Sequence, residues 1–491
     1  MAKTHLDLDG RVAAREAAAT HSRRAFLAHA AIAGAAIAGF DRHPDAFQGG
    51  PGPFDPWRTA DEIRRRIRPP VFPSREFDIR KFGAKDDGRT ECTDAMREAI
   101  SACAAAGGGR VVVPPGRFVT GAVRLKSRVD LHLAEGATLA FSRDPTAYLP
   151  LVLTRFEGVE LMNYSPFIYA LDERDVAITG SGTLDGQANE EFWWSWPRRG
   201  PTGVSRQAPA RNRLLEMSEK RVPPAERRFG PDAWLRPNFI QPYRCSNVLI
   251  EGVKIVNSPM WEVHPVLCTN VTIRGLNISS HGPNNDGCDP ESCRDVLIEN
   301  CAFDTGDDCI ALKSGRNEDG RRIGTPIENV IVRECDMKDG HGGVTIGSEI
   351  SGGARNIFAE RCRMDSPRLE RALRFKNNAA RGGVIERVAM RDVTIGELAE
   401  AVVAADFYYE EGRKGAFTPV LRDVDVRNVT SRKSQYAFLL RGFDTAPITN
   451  IRVTDCTFDG VAKPDVLESV RGLVLRNVRI NGTVRTETVD R

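Results

Sequence analysis

The chain has 491 residues, a formal net charge of +3, 27% charged and 41% hydrophobic residues, and 11 cysteines. So even a balance of charge lacks the concentrated positive field of a nucleic-acid binder, and any anionic partner must be held by local charges. Eleven cysteines are too sparse, and odd in number, to suggest a disulfide-built scaffold.

Residues 1–40 read as an export leader. Ser22-Arg23-Arg24-Ala25-Phe26-Leu27 resembles a twin-arginine motif. A weakly apolar run to Phe40 follows, too short to span a bilayer, and Ala36-Ile37-Ala38 offers a small-residue cleavage site. The first 38 residues carry +2 of the net charge, which leaves the mature chain near +1. Residues 41–76, rich in Pro, Arg and Asp, read as a linker with a short helix through Ala60-Asp61-Glu62-Ile63. The folded body spans 77–491, longer than one compact core allows, which favours an elongated repeat architecture.

Thr90 to Ala106 predicts an amphipathic helix with Met96, Ala99, Ile100 and Cys103 on one face, Thr90 as N-cap and Gly107-Gly108-Gly109 as stop. It is expected to cap the first coil of a solenoid, with Arg110-Val111-Val112-Val113 entering the first turns. Residues 187–246 break the rhythm with Trp193-Trp194-Ser195-Trp196, several arginines and many prolines. They read as a surface excursion with its own core, as a wall of a substrate groove, or as both.

Beyond that insertion the pattern Asn/Asp-apolar-x-Ile/Val recurs at Asn247, Asn270, Asp295 and Asn329, and in degenerate form at Asn356, Asp423 and Asn450. Steps of 23, 25 and 27 residues, short runs and period-two alternation of Val, Ile and Thr define an all-β repeat, and one repeat makes one coil of a parallel β-helix. Six residues after each start stand Val253, Leu276, Cys301, Cys335, Cys362, Val429 and Cys456, so cysteine behaves there as a small buried apolar residue. At most one or two bridges are expected, with Cys288–Cys293 and Cys301–Cys309 the nearest pairs. No Cys or His cluster has metal-ligand spacing.

Four islands punctuate these coils: Asn284-Asn285-Asp286-Gly287, Gly306-Asp307-Asp308, Gly340-His341-Gly342 and Arg374-Phe375-Lys376. Asp286 and Asp307 are 21 residues apart, one coil, so they should sit on adjacent rungs. Thr305-Gly306 supplies a bend for Asp307 and Asp308 to project together. Crowded carboxylates repel, so at least one should keep its proton near neutrality, as a general acid beside a base must. Arg374 and Lys376, at i and i+2, share an outer face suited to a sugar carboxylate, while Leu373 and Phe375 face the core. A calcium site is the competing reading of the aspartates.

At these islands the chain resembles glycoside hydrolase family 28, the polygalacturonases and their pectin-cleaving relatives. The family's Asn-Thr-Asp stands here as Asn284-Asn285-Asp286, its Gly/Gln-Asp-Asp as Gly306-Asp307-Asp308, its Gly/Ser-His-Gly as Gly340-His341-Gly342 and its Arg-Ile-Lys as Arg374-Phe375-Lys376. Asn285 and Phe375 are the departures, and Asn285 is placed to alter substrate contacts near the cleavage point. The resemblance implies a single-stranded right-handed parallel β-helix of the pectin-lyase-like kind with an N-terminal capping helix. It also implies inverting hydrolysis of α-1,4-galacturonosidic bonds without metal or cofactor. By that analogy Asp307 is the acid, Asp286 and Asp308 activate water, His341 tunes the acid, and Arg374, Lys376 and Asn284 contact substrate. Inversion generally places the carboxyls about 6.5–9.5 Å apart.

The histidine island favours homogalacturonan over rhamnogalacturonan. The insertion after Gly186 favours action from a chain end by blocking one end of the groove. The expected partner is therefore an acidic plant-wall polysaccharide, met by a periplasmic or secreted monomer, with neither nucleic acid nor, after leader removal, a membrane. A rhamnogalacturonan hydrolase, a calcium-dependent lyase on the same fold and a non-catalytic polysaccharide-binding β-helix are the alternatives.

Overall fold

The computed structural model describes residues 55–200 and 203–491; the leader assigned to residues 1–40 lies outside them. Among the described residues no helix is long and apolar enough to cross a membrane.

Short strands pair in parallel with the strand one coil later, and this builds a parallel β-helix. One unbroken column of buried side chains runs from Val248 through Val271, Val296, Val330 and Ile357 to Leu473. β-branched residues fill such a column because their stiff side chains suit stacked, pleated strands.

The residue before each column member turns the chain. Asn247, Asn270, Asp295, Asn329 and Asn356 all have φ between 56° and 61°, the left-handed region that Asn and Asp tolerate best. Their side chains then bond along the stack: Asn270 Nδ2 donates to Asn247 Oδ1 at 2.8 Å, Asn329 Nδ2 to Asp295 Oδ1 at 3.0 Å and Asn356 Nδ2 to Asn329 Oδ1 at 2.9 Å. Conformation and ladder together explain the repeat's leading Asn/Asp. Arg387 makes the same turn at φ 55° without a short polar side chain, which hides its coil from the sequence repeat.

All eleven cysteines are buried and unbridged, so neither Cys288–Cys293 nor Cys301–Cys309 forms. The thiols instead stack along the solenoid axis. Cys245 N–H donates to Cys268 Sγ at 3.4 Å and Cys268 N–H to Cys293 Sγ at 3.3 Å, so these two sulfurs accept from the backbone of the preceding rung.

Within the stretch read as a linker, helix α1 (Pro56–Arg66) starts at Asp55, whose carboxylate accepts from Trp57 N at 3.0 Å and Arg58 N at 3.2 Å. Trp57, Ala60, Ile63 and the following Ile67 pack on Leu297, Ile331, Phe358 and Ala389, one residue from each of four successive coils.

Helix α2 (Thr93–Ala105) caps the first coil and buries Met96, Ala99, Ile100 and Cys103 as its pattern predicts. Its start differs from expectation. Thr90 ends up in the strand Asp87–Glu91, where its hydroxyl donates to Asp87 at 2.6 Å, and Cys92 takes the N-cap position without a side-chain bond.

The insertion at 187–246 holds helix α3 (Ala208–Glu219) and a second apolar cluster, in which Leu214, Phe229 and Leu235 pack on Phe156, Leu161 and Trp261. Trp193 and Trp196 join Tyr148 and Phe167 in a buried aromatic stack.

The face that matters for function is a six-stranded parallel sheet, Ile310–Leu312, Val344–Ile346, Arg371–Lys376, Ala401–Asp406, Tyr436–Arg441 and Val466–Glu468. Single bridges through Cys288, Val263 and Ile240 continue it toward the N-terminus.

Asn329→Val should cost about 2 kcal/mol or more, because it loses both the amide ladder and a residue at ease in the left-handed region, whereas Asn329→Gly keeps the turn and should cost about 1 kcal/mol. Chemical denaturation measures both; equal losses would remove the conformational part of this explanation.

Candidate active site

Asp286, Asp308 and Gly342 each lie two residues before a member of the site-bearing face, and those members, Cys288, Ile310 and Val344, pair directly. The three therefore form one column across three coils. Gly287 N–H donates to the Asp308 carbonyl at 3.0 Å and Cys309 N–H to the Gly342 carbonyl at 2.8 Å. A neighbouring column joins Asn285, Asp307 and His341 through Asp307 N–H to Asn285 O at 3.2 Å and His341 N–H to Asp307 O at 3.1 Å. One oxygen from each of Asp286, Asp307 and Asp308 lies within 4.8 Å of the others. The four islands thus meet at one place, but the carboxyls crowd more tightly than the about 6.5–9.5 Å expected of an inverting pair, because stacked rungs fix their spacing.

Asp308 is fully buried. Its Oδ1 accepts from Thr345 Oγ1 at 2.9 Å and Arg374 Nη1 at 3.1 Å, and its Oδ2 from Lys376 Nζ at 2.7 Å. Burial would raise its pKa, yet Lys376 and Arg374 outweigh burial and hold it well below the usual range. Gly342 makes this possible, since a Cβ there would stand 2.9 Å from Asp308 Oδ1. Leu373 and Phe375 enter the core as expected. Arg374 and Lys376 thus face the site, though both already bind Asp308.

Asp286 is the carboxyl that resists ionisation. Burial, then the Asp307 charge, push its pKa up to about 8. His341 Nδ1 lies 2.9 Å from Asp307 Oδ1, and that hydrogen bond raises the imidazole's pKa to about 9, so His341 stands beside Asp307 as a cation near neutrality. The three aspartates are close enough to surround a metal ion, but the donor set fits one poorly: a cation would have to displace Lys376 and Arg374 from Asp308 and His341 from Asp307.

Asn284 turns at φ 56° and its Oδ1 accepts from Arg236 Nη2 at 2.7 Å. Arg236 comes from the end of the insertion and is buried; its Nη1 also donates to the Pro259 and Pro283 carbonyls. Trp194 packs on Gly282, and its Nε1 donates to Ser258 O at 2.8 Å. Asn285, expected near the cleavage point, is instead fully buried. Its amide donates to Ser258 O and Met260 O and accepts from Ser280 Oγ and Gly282 N. It shapes the loop from inside.

Sequence reasoning missed Lys313, Thr345, Arg236 and Tyr409. Lys313 follows Ile310-Ala311-Leu312 and is 2% exposed, 3.7 Å from Asp286. A lysine after an apolar triplet is the only sequence signal, and it does not distinguish a buried ammonium from a solvated one. Tyr409 lies under both cations, 5.9 Å from Arg374 and 5.4 Å from Lys376.

Comparison with known proteins fits this geometry. The family model described as glycosyl hydrolases family 28 matches residues 231–472. The crystal structure of an exopolygalacturonase from Thermotoga maritima is 45% identical, covering 88% of this chain and 98% of that one, with a TM-score of 0.86. The chain belongs to glycosyl hydrolases family 28. A Vitis vinifera protein named "Probable polygalacturonase" is 29% identical over 403 residues, 78% of this chain and 74% of its own. The exo-poly-alpha-D-galacturonosidase of Dickeya chrysanthemi is 27% identical over 382 residues, 73% of this chain and 62% of its own.

Arg371, Arg374, Lys376, Tyr409 and Arg441 border a cavity of about 420 Å³ on the C-terminal side.

The His341 imidazole should titrate near 9 in the intact protein and fall toward its ordinary 6.5 in Asp307→Asn. NMR of the ring protons, assigned with His341→Asn, measures this; an unchanged midpoint would sever the pairing. Since the folded value is raised, the pair stabilises the fold fully below about pH 6.5, and that contribution is lost as pH rises through about 9.

Proposed function

We propose that this family 28 glycosidase hydrolyses the α-1,4-galacturonosidic bonds of polygalacturonate from a chain end, by metal-independent inverting acid–base catalysis. The observation that carries the reading is the unequal treatment of three crowded carboxyls. Asp308 is locked as an anion by two cations, Asp286 carries a proton in the free site, and Asp307 is bound to a cationic imidazole. One shared proton among three acids is the minimum an acid–base hydrolase requires.

In this reading Asp307 protonates the leaving glycosidic oxygen, and the anions of Asp286 and Asp308 hold and activate water. His341 orients Asp307. Arg374 and Lys376, whose remaining donors face the cavity, take the uronate carboxylate, and Asn284 contacts the sugar. Such a role implies that the cluster's proton sits on Asp307, and not on Asp286, when the bond breaks.

End action is supported by the insertion. Trp194 bonds to Ser258 O and Arg236 to Asn284, so the insertion lies against the Asn284 loop, where it would wall the N-terminal side of the groove opposite the C-terminal cavity. The names of the Thermotoga and Dickeya relatives agree with it. The Ser22-Arg23-Arg24 leader supports export to the periplasm or exterior, where polymeric galacturonan of the plant cell wall is met by a monomeric enzyme.

Incubated with polygalacturonate, the protein should release monomer or dimer as its earliest products. A ladder of oligomers would refute end action, and an unsaturated, UV-absorbing product lost with chelator would replace hydrolysis by elimination. NMR during the first turnovers should show the β-anomer; the α-anomer would overturn inversion. Asp307→Asn should lower kcat by about 100-fold or more, measured as new reducing ends.

A further inference from the structure

Behind the column of aspartates lies a buried charged layer that the proposed chemistry does not use. Lys313 follows the strand Ile310–Leu312, and its buried ammonium lies beside Asp286. Its Nζ lies 3.2 Å from Glu349 Oε2, 3.4 Å from Asp289 Oδ1 and 3.7 Å from Asp286 Oδ2, and 4.3 Å from the centre of the Trp261 ring. Burial disfavours this ammonium, but Glu349, Asp286 and Asp289 outweigh burial, so it is charged at every working pH. Desolvating a lysine is costly, so its position needs three carboxyls to be tolerable.

The three are not equivalent. Burial opposes ionisation of Glu349, but Lys313 and Arg316 overcome it, and Arg316 Nη1 stands 3.5 Å from its other oxygen. Asp289 is fully buried, both its oxygens lack hydrogen-bond partners, and burial followed by the Asp286 charge pushes its pKa well above the usual range. Asp286 alone reaches the reacting cluster, and its Oδ1 lacks a hydrogen-bond partner. The other groups facing Asp286 are Asp307 and Asp308 on the next coil, Lys376 three coils on, Glu262 on the preceding coil and Arg236 from the insertion. Asp307, Asp308 and a charged Glu262 would all oppose its ionisation. Lys376 belongs to Asp308, and Arg236 spends its donors on carbonyls and amides.

We propose that Lys313 is a positioning residue that acts through Asp286, its buried ammonium favouring the Asp286 anion and so passing the cluster's single proton to Asp307. The inference rests on the hydrolase reading above. The transfer is internal: the Asp286 carboxyl gives up its proton, the Asp307 carboxylate gains it, and the total charge of the site is unchanged. Lys313 touches neither the glycosidic bond nor the attacking water.

The test is the pH profile of kcat/KM on polygalacturonate for the parent, Lys313→Met and Lys313→Arg. Because activity needs ionised Asp286, removing the cation should move the acidic limb of Lys313→Met to higher pH by about one unit or more. KM should change little, the plateau of kcat should also fall because the proton then stays on Asp286, and Lys313→Arg should return both limb and plateau toward the parent's values. An unmoved limb in an active variant, or a Lys313→Arg variant that restores neither limb nor plateau, overturns the proposal. Should Lys313→Met fail to fold by thermal melting, Lys313→Met/Glu349→Gln removes cation and counterion together and must show the same shift. A parent that releases no product at all refutes the hydrolase reading itself, whereas an active parent with an unmoved limb in the variants refutes the role of Lys313 alone.

Discussion

Asp286 and Asp308 occupy one register on consecutive coils, and the hydrogen bond from Gly287 N–H to the Asp308 carbonyl prevents them from drawing apart. In solution two such carboxylates would separate; on a solenoid they are held at the rung spacing, where their repulsion in a poorly solvated interior is large. The rest of the site answers that repulsion. Each aspartate has a different cation at a different distance: Lys376 at 2.7 Å from Asp308, the His341 ring at 2.9 Å from Asp307 and Lys313 at 3.7 Å from Asp286. Graded compensation makes three chemically identical side chains unequal, and their inequality is what acid–base catalysis uses.

Much of this was legible before any coordinates. The Asn/Asp-led repeat was visible because one residue type satisfies both a left-handed turn and a side-chain ladder, so it recurs at Asn247, Asn270 and Asn329. Spacing by one coil then placed Asp286 beside Asp307 and Asp308. Alternation placed Leu373 and Phe375 inward with Arg374 and Lys376 opposite.

What stayed hidden shares a cause: the sequence pattern shows which residue types recur and not which polar groups are buried. Asn285 looked like a substrate contact because it sits between two site residues, yet its amide satisfies four backbone and side-chain groups inside the loop. Lys313 carries no sequence signal that separates a buried ammonium from a solvated strand end. The capping helix begins at Thr93 and not after Thr90 because a strand pairing with the next coil claims Asp87–Glu91 first. The tryptophans of the insertion divide similarly: Trp193 and Trp196 join the main core beside Tyr148 and Phe167, and Trp194 meets the catalytic loop.

Helix α1 crosses the outside of the solenoid at Leu297, Ile331, Phe358 and Ala389. The first three of these belong to the very coils that carry Asp307 and Asp308, His341, and Arg374 with Lys376. A stack whose rungs touch only their neighbours unravels piecemeal from its ends. A strut glued across several rungs makes them melt as a unit, so on heating, the alignment of catalytic groups should outlast the periphery of the molecule.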